Sequence, residues 1–113
     1  MKATDTIKNA QITGTMLGVE DHGILTFMLY LDYGGSGQGF GGYALDCYDK
    51  ERKVRVGEAS GIDLIRGILD TLEVRSWEEL KGTHCRVVAD HMRVYRIGHF
   101  LKDRWFNPEE VLK

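Results

Sequence analysis

The sequence predicts an α+β fold: a mostly antiparallel β-sheet with two short helices packed on one side of it. Apolar runs rich in β-formers occupy the first and last thirds of the chain, a helical stripe lies between them, and turn residues separate the runs. With 113 residues and 42% hydrophobic content, the chain can bury one core. We therefore expect a single domain over residues 1–113 that completes its burial by self-association.

The first third predicts a hairpin. Thr6 to Gly18 is typical of a strand, Glu20 to Gly23 of a turn, and Ile24 to Asp32 of a second strand. The second strand is apolar at nearly every position. Both of its faces should therefore be covered, one by a helix and the other by a partner subunit.

A glycine-rich segment, Gly34 to Tyr43, follows and holds six of the 14 glycines around Phe40. Glycine is used where the backbone needs positive φ or where another backbone or a ligand comes close. Two explanations stay open, hairpin bends and bulges or contact with a ligand or subunit. We interpret the segment as a close-approach surface that leads into a third strand-like segment, Tyr43 to Leu45.

The middle of the chain begins with a charged break, Asp49 to Gly57, which predicts a solvated loop or a hairpin tip. A helix should then run from Ser60, in a capping-box-like start with Asp63, through Glu73. Its core-facing stripe recurs at helical spacing: Ile62, Ile65, Ile68, Leu69 and Leu72.

A second, short helix is predicted over Trp77 to Lys81, because Ser76 and Glu79 repeat the start signal. Gly82 is well placed to end it in a left-handed conformation.

The last third, Thr83 to Leu101, predicts two further strands around a turn at Asp90-His91. These strands are Cys85 to Val88 and Met92 to Ile97. A tail, Lys102 to Pro108, then leads into an acidic apolar turn, Glu109 to Leu112.

Composition excludes several classes of protein. A net charge of −2 argues against binding to long nucleic acids. A polar N-terminus and the lack of any apolar run of about 20 residues predict no signal peptide and no membrane span, hence a soluble intracellular protein. Cys47 and Cys85 suit reduced thiols, although a bridge between them stays open.

No catalytic or metal constellation emerges from the spacing. Cys85 and His84 are neighbours on a strand and point to opposite faces, so they cannot form a nucleophile-base pair. The four histidines and two cysteines lack zinc-ligand spacing. A Gly37-x-Gly39-x-x-Gly42 match to the dinucleotide fingerprint has no helix after it. We expect no enzyme activity, no cofactor and no metal.

Basic residues are concentrated between His84 and Arg104, where five stand against two acids. Four of the five are arginines, whose planar guanidinium binds phosphate and stacks on bases. Aromatic rings lie nearby at Tyr95, Trp105 and Phe106, and base stacking on such rings is worth about 1–3 kcal/mol. The pattern indicates a phosphate clamp beside a base platform. Solvated or ion-paired strand arginines remain an equal alternative, and core packing is favoured for Trp105 alone.

Two segments, Thr15 to Leu25 and Asp32 to Asp46, resemble the phage Thoeris anti-defence family of sequestering proteins, or sponges. The shared motifs are Glu-Asp-His-Gly and Gly-Gly-x-Gly-x-Gly-Phe-Gly-Gly-Tyr. The resemblance implies that the protein binds cyclic ADP-ribose isomers without degrading them and so blocks TIR-dependent immunity. It also implies dimers that can form hexamers, pockets at subunit boundaries, a possible second site for cyclic trinucleotides, and a location in the cytoplasm of the infected host.

Carried onto this chain, the resemblance gives an ordered set of ligand-binding candidates. Arg86 and Arg104 come first as phosphate or base contacts, and Phe106 and Asn107 follow as stacking and edge-reading groups. The remaining candidates are Gly39, Phe40, Gly41 and His22. Two alternatives stand beside sequestration: a nucleotide-hydrolysing enzyme, and an inhibitor that binds a host defence protein.

Overall fold

The computed structural model describes residues 6–112. A six-stranded antiparallel sheet forms the body of the molecule in the order β3-β2-β1-β6-β7-β8, and β4 and β5 form a separate hairpin. The strands are β1 (Thr6–Val19), β2 (Leu25–Asp32), β3 (Gly37–Gly41), β4 (Asp46–Asp49), β5 (Val54–Gly57), β6 (His84–Ala89), β7 (Val94–His99) and β8 (Trp105–Phe106). The predicted α+β class, mostly antiparallel with two short helices, is confirmed.

Strand β1 is the centre of the sheet and has a different partner on each side. Its residues 6–11 pair with β6, and its residues 11–19 pair with β2 with an irregularity between Ile12 and Gly14. The sheet curls strongly enough that Gln38 on β3 donates from Nε2 to the carbonyl of Asp90, 3.0 Å away in the turn before β7. Strand β3, at one end of the strand order, therefore approaches β7 around the core.

Helix α1 (Ala59–Leu72) covers the concave side of this sheet, with Leu64, Ile68 and Leu72 buried. Across from it, β1, β2, β6 and β7 contribute fully buried side chains such as Ile12, Phe27, Val87 and Ile97. A 3₁₀ turn (Trp77–Leu80) and a last short helix, α2 (Pro108–Val111), complete the chain. No helix in the described part has the length and apolarity needed to cross a membrane.

Two strand predictions need correction. The third strand is the glycine segment itself, Gly37–Gly41, whereas Tyr43 to Leu45 is not a strand. Hydrogen bonds to β2 set the register here, and the missing side chains are tolerated because β3 lies at the edge of the sheet. The charged break is a hairpin whose tip is as predicted, but Val54–Gly57 is its second strand.

The start of the first helix differs from the predicted capping box at Ser60. The first helix starts after Glu58 without a side-chain cap, and Ser60 lies inside it and bonds Glu58. Ile62 is 69% exposed, whereas its neighbour Gly61 in the same turn of α1 is buried against Leu45. Gly82 has the positive φ predicted for it, +93°, but it lies in a turn closed by the Thr83 amide on the Leu80 carbonyl, and its own amide donates to the carbonyl of Ile12.

Strand β2 alternates rather than being covered on both faces within one chain. Phe27, Leu29 and Leu31 are buried, whereas Tyr30 on the opposite face is 47% exposed. Cover of that second face by a partner subunit stays a prediction.

Candidate functional site

The convex side of the sheet, opposite α1, carries the polar side chains of the strands. We call it the open face and define it by one row of paired residues, Asn9, Arg86, Gly98 and Trp105. Directly paired residues project on the same side of a sheet, so these four positions lie side by side across β1, β6, β7 and β8. Their strand neighbours Cys85, Val87 and Ile97 are buried in the core.

Arg86 and Trp105 form a layered contact in this row. The indole of Trp105 lies flat on the sheet because Gly98 has no side chain: a Cβ there would stand 2.5 Å from Trp105 Cε3. The Arg86 guanidinium covers the ring, with Cζ 5.0 Å from the ring centroid. A guanidinium in such a cation-π contact presents its second planar face away from the ring.

Two backbone carbonyls hold this guanidinium in its plane. Arg86 Nε donates to the carbonyl of His99 at 2.9 Å, and Nη2 donates to the carbonyl of Lys102 at 2.8 Å. Both acceptors belong to the loop of residues 99–104 that joins β7 to β8. Arg86 is therefore a preorganised planar cation.

The second candidate arginine reaches the same loop from its other side. Arg104 Nη1 donates to Glu73 Oε2 at 2.9 Å, and Lys102 Nζ lies 2.8 Å from the same oxygen. These hydrogen bonds, that of Lys102 first, lower the pKa of the Glu73 carboxyl. Arg104 is thus ion-paired, as in the alternative reading of the strand arginines, and its side chain is 45% exposed.

Phe106 and Asn107, the predicted stacking and edge-reading groups, make contacts within the fold. Phe106 is 8% exposed and packs against α1 so closely that a Cβ at Gly67 would collide with its ring. Trp105, rather than Phe106, is the ring beside Arg86, and it lies outside the core cluster. Asn107 caps α2, where its side chain accepts from the amide of Glu109 at 3.1 Å.

The glycine-segment candidates lie on β3. Phe40 is fully buried and packs edge-on against Phe27, with ring centroids 6.1 Å apart. A Cβ at Gly39 would collide with Met28 Cε and one at Gly41 with the carbonyl of Phe27, so the close approach that these glycines permit is made by β2 of the same chain. Gly41 has φ +139°, a region that side chains disfavour.

His22 lies at the far end of the molecule from Arg86. It sits in the turn after β1, exposed and 3.0 Å from Glu20 Oε2, and this hydrogen bond raises the pKa of the imidazole. The ten residue steps from Asn9 to Val19 along β1 span about 30 Å. One protomer therefore cannot bring His22 and Arg86 to the same small ligand.

Three grooves among the described residues differ in size and chemistry, and one of them, of about 370 Å³, lies beside the end of α1 and is lined by Arg66, Leu69, Asp70, Val74 and Arg75. A groove of about 520 Å³ runs between α1 and the ends of β1 and β2, and its lining is apolar apart from Glu58. A smaller groove of about 250 Å³ adjoins the Arg86 row and is lined by Asn9, Gln11, Asp32, Tyr33, Gly34, His84, Phe100 and Ala10. We favour the groove of about 250 Å³ as the site, because most of its lining residues are polar and it borders Arg86 through Asn9, the residue paired with Arg86 in the row.

The described residues offer little catalytic chemistry. Within residues 6–112 no group of three or more His, Cys, Asp or Glu side chains is placed to hold a metal ion. Burial raises the pKa of the Cys85 thiol to about 12, and a hydrogen bond with Glu58 raises that of Cys47. Neither thiol is therefore activated as a nucleophile at neutral pH.

Comparison of the chain with protein-family models, curated proteins and solved structures gave no match. The functional evidence therefore consists of the geometry of the site and the motifs of the glycine-rich and Glu-Asp-His-Gly segments.

Proposed function

We propose that this protein binds and sequesters cyclic ADP-ribose isomers without degrading them, and so blocks TIR-dependent immunity in the cytoplasm of an infected bacterium. The observation that carries the proposal is the fixed Arg86 plane over Trp105 on the open face. A ligand adenine would stack on the free side of this plane, in the order Gly98, Trp105, Arg86, adenine. Stacking of a base on such a planar group is worth about 1–3 kcal/mol.

The rest of the ligand matches groups beside Arg86. A pyrophosphate requires cations: Lys102 and Arg104 lie on the loop that also holds Arg86, and they would exchange their ion pairs with Glu73 for the phosphates. Ribose hydroxyls require amide and carboxylate partners, which the smaller groove supplies at Asn9, Gln11 and Asp32.

The size of this groove favours a site shared between protomers. Ligand sites typically measure about 300–1,000 Å³, and the groove beside Arg86 holds about 250 Å³. A sequestering protein needs a dissociation constant near nanomolar, roughly −12 kcal/mol, which favours an enclosed ligand. A homodimer, with hexamers as a further possibility, would supply the missing wall, and cyclic trinucleotides are candidate ligands at a second site.

Binding assays with a panel of cyclic ADP-ribose isomers test the proposal. Purified protein should deplete one isomer from solution, and heat denaturation should return it chemically unchanged. Recovery of a hydrolysed product would instead support the enzyme alternative. Absence of binding together with capture of one host defence protein would support the inhibitor alternative.

Substitutions at the two arginines test the site. Arg86→Ala and Arg104→Ala should each weaken binding more than tenfold while the oligomeric state is kept, since one stacking or charged contact is worth about 1–3 kcal/mol. Arg86→Lys keeps the charge but loses the plane, so it should weaken binding nearly as much as Arg86→Ala. Arg52→Ala, in the remote β4–β5 tip, is the control. Affinity close to wild type in both alanine variants would refute the assignment.

A further inference from the structure

We propose that His99 is the positioning residue of this site: it builds the 99–104 loop and through it holds Arg86 in its plane. The effect of His99 on ligand binding rests on the proposed function, whereas the contacts through which it holds Arg86 are present without a ligand. His99 ends β7, and its side chain is 18% exposed on the concave side of the sheet. It is therefore placed to act through Arg86 rather than to touch the ligand stacked on it.

The backbone of His99 closes the loop and anchors Arg86. Its amide donates to the carbonyl of Arg104 at 2.9 Å, which joins the two ends of the loop. Its carbonyl accepts from Arg86 Nε at 2.9 Å. His99 thus connects Arg86 on β6 to the loop that carries Lys102 and Arg104.

The imidazole of His99 orders the interior of the loop. Nδ1 accepts from the amides of Leu101 and Lys102 at 3.1 and 3.0 Å. An acceptor nitrogen carries no proton, so the hydrogen-bond network assigns the neutral ring's proton to Nε2, which faces Glu73 Oε2 at 3.8 Å.

The two amide bonds determine where the next carbonyl points. With its amide held by His99, Lys102 directs its carbonyl to both Arg86 Nη2 at 2.8 Å and the amide of Arg104 at 2.9 Å. The contacts thus run from the His99 ring through the backbone of Lys102 to Arg86. Loss of the Nδ1 acceptor should therefore free the Nη2 end of Arg86 and loosen its contact with Trp105, while the bond from Nε to the His99 carbonyl remains.

A pair of substitutions separates the acceptor from the bulk of the ring. In His99→Asn, Oδ1 stands the same number of bonds from Cα as Nδ1 and can accept from both amides. In His99→Gln, the amide group is one carbon further out and loses that position. His91→Asn, at an exposed position in the turn before β7, is the matched control.

The first measurement needs no ligand. Amide hydrogen exchange at Leu101 and Lys102 should be about tenfold faster in His99→Gln and near wild type in His99→Asn. The Arg86 Nε–H resonance should shift only in His99→Gln. Nitrogen-15 spectra of the wild-type protein should show Nδ1 without a proton at pH 7. A proton on Nδ1, or equal loss of protection in both His99 variants, would overturn the inference even if one variant folds poorly.

The second measurement uses the cyclic ADP-ribose isomer that the wild-type protein binds best. His99→Gln should weaken its binding about tenfold, and His99→Asn less than about threefold. If the wild-type protein binds no isomer but the exchange pattern is seen, the positioning of Arg86 holds and only the proposed ligand fails. Unchanged binding in His99→Gln would refute the role of His99 while leaving the ligand assignment intact.

Discussion

Gly98→Ala should disrupt the Arg86 site from beneath. The new Cβ would stand 2.5 to 2.8 Å from three atoms of the Trp105 ring, so the ring must move off the sheet. Overpacking costs about 1–3 kcal/mol, and loss of the Arg86 contact about 0.5–1 kcal/mol. Replacing a strand glycine by alanine returns about 0.5–1 kcal/mol. The net destabilisation is about 1–3 kcal/mol, or a melting temperature lower by about 4–12 °C for a domain of this size.

Gly18→Ala is the matched control, because a Cβ there would meet only Met16 Sδ at 3.8 Å on the same strand. It should change stability by less than about 1 kcal/mol. Thermal unfolding and Trp105 fluorescence, read in a Trp77→Phe background, measure both effects, and ligand affinity should fall only in Gly98→Ala. If the two alanine variants melt together and Trp105 keeps its emission, the stacked arrangement of Gly98, Trp105 and Arg86 is wrong.

Two further predictions concern residues outside the Arg86 row. A hydrogen bond from Tyr95, together with hydrogen bonds from the amides of Met92 and Arg93, lowers the pKa of Asp90 to about 2. The contribution of Asp90 to stability is therefore present above pH 3.8 and is lost as the pH falls toward 2. Acid unfolding followed by circular dichroism should show this loss in the wild type, and Asp90→Asn should have a flatter profile over that window. Phe40→Ala should cost about 3–5 kcal/mol in urea unfolding because the ring is fully buried, whereas a cost below about 1 kcal/mol would indicate an accessible ring available to a ligand.

The fold class could be predicted because apolar periodicity records burial, and most strand positions obey it. The glycine strand could not be predicted, since Gly37–Gly41 has almost no side chains to show a period, and its register comes from backbone bonds to β2. Ile62 was misplaced for the opposite reason: its spacing fits the stripe, but in the first turn of α1 it is Gly61 that packs against Leu45, and Ile62 is 69% exposed.

At the candidate site, sequence identified Arg86 but not the partners that fix it. Trp105 and Phe106 are adjacent on a strand, so only one of them could face the core, and reading the tail as a strand would have separated them. His99 and Glu73 left no such signal. His99 reaches Arg86 across 13 residues, and Glu73 reaches Lys102 and Arg104 across 29 and 31 residues, separations that no local pattern reports.

The divided pairing of β1 has a consequence for how the chain matures. Its second half can pair with β2 as soon as the β1–β2 hairpin forms, but its first half pairs with β6, which lies more than 70 residues later in the chain. Until that strand is synthesised, the beginning of β1 is an unsatisfied edge on a nascent polypeptide, and closure through distant contacts is slow. We expect the newborn chain to be most vulnerable to aggregation or chaperone capture during this interval, and truncations before β6 to be insoluble.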